Sequence, residues 1–159
     1  MPLVEELPPA DLRRRIQASL LDLLLVFVLV ALPIALSSGQ AETGGELPNG
    51  SDSVASITLD DRQLGLVVLI GVLYGIVTEA TLGATVGKLV HGLRVRRHDG
   101  SPLGWGGAAV RNVLRLVDGF PYFVPHLLGV LVAYRDRPLR RRLGDRAAGS
   151  IVVSTRGSS

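Results

Sequence analysis

The chain has no cysteine, which excludes disulfides, thiolate chemistry and cysteine zinc sites. Its three histidines, His91, His98 and His126, have no metal-ligand spacing. Hydrolytic or transfer chemistry needs a nucleophile with a positioned base or a metal set, and neither spacing is present. The stretch from Gly83 to Lys88 resembles a phosphate-binding loop, but it has three residues between its glycines instead of four, and Leu89 follows the lysine. These absences predict no enzyme, no cofactor, no metal and no nucleotide site.

Charge is also missing from two long runs. Residues 16–36 hold one ionisable group, Asp22, and residues 64–86 hold one, Glu79. As helices these runs extend about 31 and 35 Å, enough to cross a hydrocarbon core of about 30 Å. With 47% hydrophobic residues and a mean hydropathy of +0.37 in 159 residues, the composition points to a membrane rather than a soluble core. Arg13, Arg14 and Arg15 ahead of the first run imitate a secretory signal, but the run is too long and contains an acid, so a permanent helix is expected.

Basic residues are nearly absent between the runs, where Arg62 stands alone, whereas three precede the first run and thirteen follow the second. By the positive-inside rule the loop 37–63 is external and both termini are cytoplasmic. The net charge of +3 then marks membrane orientation, and nucleic acid is not an expected partner. A third apolar stretch, about 108–134, carries Asp118, Gly119, Pro121 and Pro125 between two basic clusters. A single crossing would put one cluster outside, so a broken, Pro-kinked membrane-embedded segment is favoured, with an ordinary third span as the alternative.

The expected fold is an all-α membrane protein with spans at about 14–36 and 64–88 and the broken third segment. Short cytoplasmic β-pairing is also allowed, between Leu93-Arg94-Val95-Arg96 and Ile151-Val152-Val153. Residues 1–12 and 155–159 read as disordered.

Ordered motifs run through this frame. Arg15 to Asp22 reads R-I-Q-A-S-L-L-D, Thr85 to Lys88 reads T-V-G-K, and Gly92 to Val95 reads G-L-R-V. Asp99-Gly100, Arg111 to Asp118, Leu143-Gly144-Asp145 and Ala148-Gly149-Ser150 follow in order. Together they resemble the RDD family over about residues 13–154, with the loop 37–63 unmatched. Ser150 departs from the family's more usual threonine. The resemblance implies a protein of the bacterial cytoplasmic membrane, with suspected transport roles and no agreed biochemical activity. Either Asp118 or Asp145 can be the family's second aspartate.

The candidate site is an intramembrane charged cluster of Arg15, Asp22, Glu79, Lys88, Arg111, Arg115, Asp118 and Asp145. Arg15, Ser19 and Asp22 share one helical face. Asp22 and Glu79 each fall about 10 Å from the cytoplasmic end of their runs, so antiparallel helices could bring them into one site. Arg111, Arg115 and Asp118 form a further stripe. Ser19 and Thr85 are expected to bond back to their own helices. Gly71, Gly75, Gly83 and Gly87, with Glu79 in register, form a small-residue ridge suited to helix packing, or more sharply to a substrate crevice.

Two functions follow. In the first, Asp22 and Glu79 form a cation or proton site gated by Arg15 and Arg115 in a homo-oligomer. In the second, a scaffold or accessory subunit of a larger membrane complex holds the same charges as structural ion pairs, Arg15 with Asp22 among them. Membrane lipids are the expected partners, with anionic head groups against the basic run 137–142.

Overall fold

The computed structural model of the chain describes residues 10–39, 41–43, 55–118 and 141–155. The chain divides into two compact units, Leu23–Gly71 and the combination of Met1–Asp22 with Val72–Ser159. The first long helix begins as α1 (Leu12–Val26), widens into a π-helical turn (Phe27–Ala31) and ends as α2 (Leu32–Ser37). Pro33 explains the interruption: its ring excludes a normal turn behind it and it donates no hydrogen bond. Leu32 N–H instead reaches back five residues to the Phe27 carbonyl.

In the Leu23–Gly71 unit, β1 (Ala41–Thr43) pairs antiparallel with β2 (Ala55–Ile57) inside the expected loop. The second long helix, α3 (Asp61–Leu82), starts with a reciprocal cap. Gln63 N–H donates to the Asp60 carboxylate at 2.8 Å, and Asp60 N–H donates to the Gln63 side chain at 3.1 Å.

Leu12–Ser37 and Asp61–Leu82, 26 and 22 residues long, can each cross a membrane. Only 17% and 11% of their most apolar stretches are buried, so they are not core helices of a soluble domain. Leu29 (67% exposed) and Leu20 (57%) present apolar surface instead.

The other unit adds α4 (Val86–Val90), β3 (Leu93–Arg97), α5 (Gly104–Asp118), α6 (Leu143–Ala147) and β4 (Ser150–Ser154). β3 and β4 are antiparallel partners with Val95 opposite Val152, so the two strand-like runs do pair. Their inward side chains, Leu93, Val95 and Val152, join Ala10, Ala18, Leu103 and Ala108 in a small core. At roughly 25 cal/mol per Å² of apolar surface removed from water, such a core holds the sheet on α1 and α5.

Four expectations are corrected. The chain is mostly helical but not all-helical, since short β-ladders satisfy backbone groups outside the spans. The second span ends at Leu82 rather than near 88, because Gly83 takes a left-handed conformation (φ +69°) that stops the helix. Glu79 therefore lies in the last turn of α3, not about 10 Å inside. Ordered chain begins before residue 12: Ala10 is buried and its N–H donates to the Val152 carbonyl at 2.9 Å, and Thr155 N–H donates to the Gly92 carbonyl at 2.8 Å.

The expected disorder of residues 1–9 and 156–159 lies outside the described residues. So do Gly119, Pro121 and Pro125 of the expected kinked segment, of which α5 forms the beginning.

Candidate functional site

Arg111 is the hub of a buried charge network. It projects from α5, its Nε donating to Glu79 Oε2 at 3.0 Å and its Nη1 to Asp145 Oδ1 at 2.5 Å. Nη1 also donates to Ser150 Oγ at 3.1 Å. Glu79, at the end of α3, also pairs with Lys88 of α4 and accepts from Asn112 Nδ2 at 3.1 Å. Asp145, in the first turn of α6, pairs with Arg15 of α1 and accepts the Arg142 N–H at 3.0 Å. One network thus ties five helices and β4 together, and both carboxylates are almost fully withdrawn from solvent.

Local sequence explains the convergence. Asp145 reaches back to the backbone that starts its own short helix, as a carboxylate three residues into a helix commonly does. Gly144 lets α6 sit on α5, since a Cβ there would lie 2.8 Å from the Arg111 carbonyl oxygen. Gly75 does the same for Asn112, whose amide occupies the space of a side chain at 75.

A second cluster surrounds Asp22. Its Oδ1 accepts from Tyr74 Oη at 3.0 Å and from Gly87 N–H at 2.8 Å, and its Oδ2 accepts from Thr85 Oγ1 at 2.6 Å. Tyr74 Oη in turn accepts Val86 N–H at 2.9 Å. The carboxylate therefore joins α1 to the segment that follows α3. Gly87 is required here because a Cβ would collide with the Ala18 carbonyl oxygen and lie 2.9 Å from the Asp22 carboxyl.

Burial alone would raise the Asp145 carboxyl, but Arg111, Arg15 and the Arg142 N–H outweigh it and hold the group well below the usual carboxylate range. Burial pushes Arg142 down to about 9, with Arg15 acting in the same direction and Asp145 opposing. A depressed carboxyl contributes its stability above the unfolded value of about 3.9, and loses it as pH falls through the lower folded value. The melting temperature should therefore fall steeply below about pH 4, whereas Asp145→Asn should melt lower at pH 7 and change less in the acid range. Thermal melts followed through Trp105, the single tryptophan, give both slopes, and parallel slopes would contradict the assignment.

Between the elements of the charge network lies a partly open cavity of about 30 Å³ whose wall includes Arg15, Glu79, Arg111, Arg115, Arg142 and Asp145. Among the described residues no three His, Asp or Glu side chains converge on a metal position.

The RDD family model matches residues 9–149. The chain belongs to the RDD family. No curated relative and no solved structure matches it. In this RDD protein the arginine of the opening motif meets not the aspartate of its own helix but Asp145, more than a hundred residues on. Asp22 lies two turns, about 10 Å, farther along α1, whereas helical side chains lean toward the N-terminus, and the Arg15 guanidinium is held by Asp145. Asp22 and Glu79 accordingly occupy separate hydrogen-bond clusters rather than one site. Lys88, Arg111 and Asp145 join the Glu79 cluster, Arg115 lines the cavity, and the Asp118 side chain lies outside the described residues.

The glycines do not form one ridge. Gly71 packs near Val26, Gly75 near Asn112, Gly83 caps α3, and Gly87 belongs to α4. Ser19 does bond back to its own helix, through the Arg15 carbonyl at 2.9 Å, but Thr85 does not, since its hydroxyl serves Asp22. Tyr74 and Asn112 were not among the candidate site residues, and Arg142 figured only as the end of the basic run 137–142 set against lipid head groups. Asn112 adjoins Arg111, and Tyr74 is the one phenol in the second apolar run, but neither signal names a partner.

Proposed function

We propose that this RDD protein is a non-catalytic, multi-pass scaffold or accessory subunit of the bacterial cytoplasmic membrane, with cytoplasmic termini, acting in a homo-oligomer or larger membrane complex. The observation that supports this most is the saturation of its buried acids. Glu79 and Asp145 each face two cationic side chains and a further donor, and Asp22 accepts three hydrogen bonds. A carboxylate on a cation path must exchange its partner for a passing ion, and groups held this firmly would lose several hydrogen bonds each time. Buried pairs of this kind define one arrangement of elements even where they add little net stability.

The second reading is a cation or proton carrier using Asp22 and Glu79, and the partly open cavity that reaches Glu79 and Arg115 favours it. Proteoliposomes separate the two. The full chain is reconstituted with a lumenal pH dye, and Na⁺, K⁺ or Li⁺ is added to wild type, Asp22→Asn and Glu79→Gln. The expected result is no cation-driven proton movement from folded protein. Movement in wild type that both variants lose would overturn the scaffold reading.

A further inference from the structure

We propose that α5 is a lipid-facing helix, with its outer face of Trp105, Val110, Val113 and Leu116 laid against the acyl chains of the leaflet at the Glu79 end of α3. The inference rests on α3 crossing the membrane, and it stands whether the protein is a scaffold or a carrier.

The arrangement of side chains around α5 carries the first part. At about 100° per residue, one arc of the helix holds Trp105, Ala109, Val110, Val113 and Leu116, and the opposite arc holds Ala108, Arg111, Asn112 and Arg115. Trp105 (59%) and Val113 (52%) lead the exposed side chains, whereas Ala108, Arg111 and Asn112 are buried. Every exposed side chain between Gly104 and Leu116 is apolar. A helix bordered by water has its polar face outward and its apolar face toward the core. α5 is built the other way round, as a helix surrounded by hydrocarbon is, with its charges turned to the protein interior.

Depth carries the second part. Asn112 sits on Gly75 of α3, where its amide takes the space of a side chain, and it donates to Glu79 Oε2 at 3.1 Å. Arg111 reaches the same oxygen at 3.0 Å. Gly75 lies about 10 Å along α3 from its last residue, Leu82. The middle of α5 thus packs on α3 inside the candidate span and not beyond its end. Leu73 and Val77, which flank Gly75 in α3, are exposed apolar side chains of that span. The outer arc of α5 extends this lipid-facing surface at the same level, where the surroundings are hydrocarbon.

The start of the helix fits the edge of the bilayer. Leu103, just before α5, is buried in the core with Val95 and Val152 of the β3–β4 ladder. β3 also carries Arg94, Arg96 and Arg97, basic residues that belong on the polar side of the boundary. Trp105 leaves this ladder with its ring exposed. Tryptophan, apolar in its body and polar at one N–H, concentrates where acyl chains meet head groups.

The test uses the full chain in phosphatidylcholine vesicles. Trp105, the single tryptophan, needs no substitution. Its emission should be quenched by lipids brominated on their acyl chains and spared by aqueous iodide. The cysteine-free chain also accepts one nitroxide label at a time, through Val113→Cys, Leu29→Cys or Arg97→Cys, at exposed positions of α5, the first span and β3. The Val113→Cys label should relax with dissolved oxygen, which concentrates in hydrocarbon, and escape a water-soluble nickel chelate, as the Leu29→Cys label does. The Arg97→Cys label should show the reverse. Should Val113→Cys fail to fold, Val110→Cys replaces it with the same expected pattern. An α5 label reached by nickel, or shielded from both reagents by a second copy or by another part of the chain, overturns the proposal. So does Trp105 emission quenched by iodide and not by brominated lipid. In those cases a Leu29→Cys label that keeps its lipid pattern shows that only α5 is misplaced, whereas one reached by nickel shows that the membrane reading itself has failed.

Discussion

Arg111→Met should lower the unfolding free energy by about 3–5 kcal/mol, the range found when one partner of a buried ion pair is removed. The variant leaves Glu79 with Lys88 and Asn112, Asp145 with Arg15 and the Arg142 N–H, and Ser150 without its guanidinium. Both acids remain buried, so neither recovers its hydration. Denaturant unfolding in micelles, followed by Trp105 fluorescence, measures the loss. Arg97→Met, at an exposed position, should stay within about 0.5 kcal/mol of wild type. The double variant Arg111→Met with Glu79→Gln should be less destabilised than the sum of the singles by about 0.5–3 kcal/mol, as coupled neighbours are. A loss below about 1 kcal/mol for Arg111→Met would mean that the network does not hold the fold.

Gly87→Ala should be similarly damaging through sterics alone. The added Cβ would fall on the Ala18 carbonyl oxygen and 2.9 Å from the Asp22 carboxyl, both on α1. α4 must then move away, stretching the Gly87 N–H and Thr85 hydroxyl bonds to Asp22. Overpacking costs about 1–3 kcal/mol, and weakened hydrogen bonds to a charged group add about 1.5–3 kcal/mol, so a total near 3 kcal/mol or more is expected. Gly65→Ala is the contrast. Nothing lies within 4 Å of its added Cβ, and an interior helix position should gain up to about 1 kcal/mol. Equal behaviour of the two variants in the same unfolding assay would refute the close packing of α4 on α1.

The distinction between a scaffold and a carrier rests on the same contacts. A buried acid in an apolar run signals a specific role, but the sequence does not say whether its partner is an ion in transit or a fixed side chain. The contacts made by Glu79 and Asp145 favour fixed side chains.

The sequence alone determined what depends on neighbours along the chain. The two apolar runs, each broken by a single acid, are enough to specify helices that can cross a membrane, since length and transfer free energy are local sums. The alternation in Leu93 to Arg96 and the β-branched run after Ser150 were likewise enough to mark strands. The ordered motifs led to the family because each keeps its place along the chain.

Tertiary structure decided the pairings. Arg15 sits near Asp22 in sequence yet bonds Asp145, and Thr85 bonds Asp22 instead of its own helix. Ion pairs and hydrogen bonds depend on distances between side chains from different elements, and those distances are set by where Gly83 stops α3 and where Gly75, Gly87 and Gly144 let backbones approach. Spacing in the sequence can show which charges share a helical face, but only the packed chain shows which of them meet.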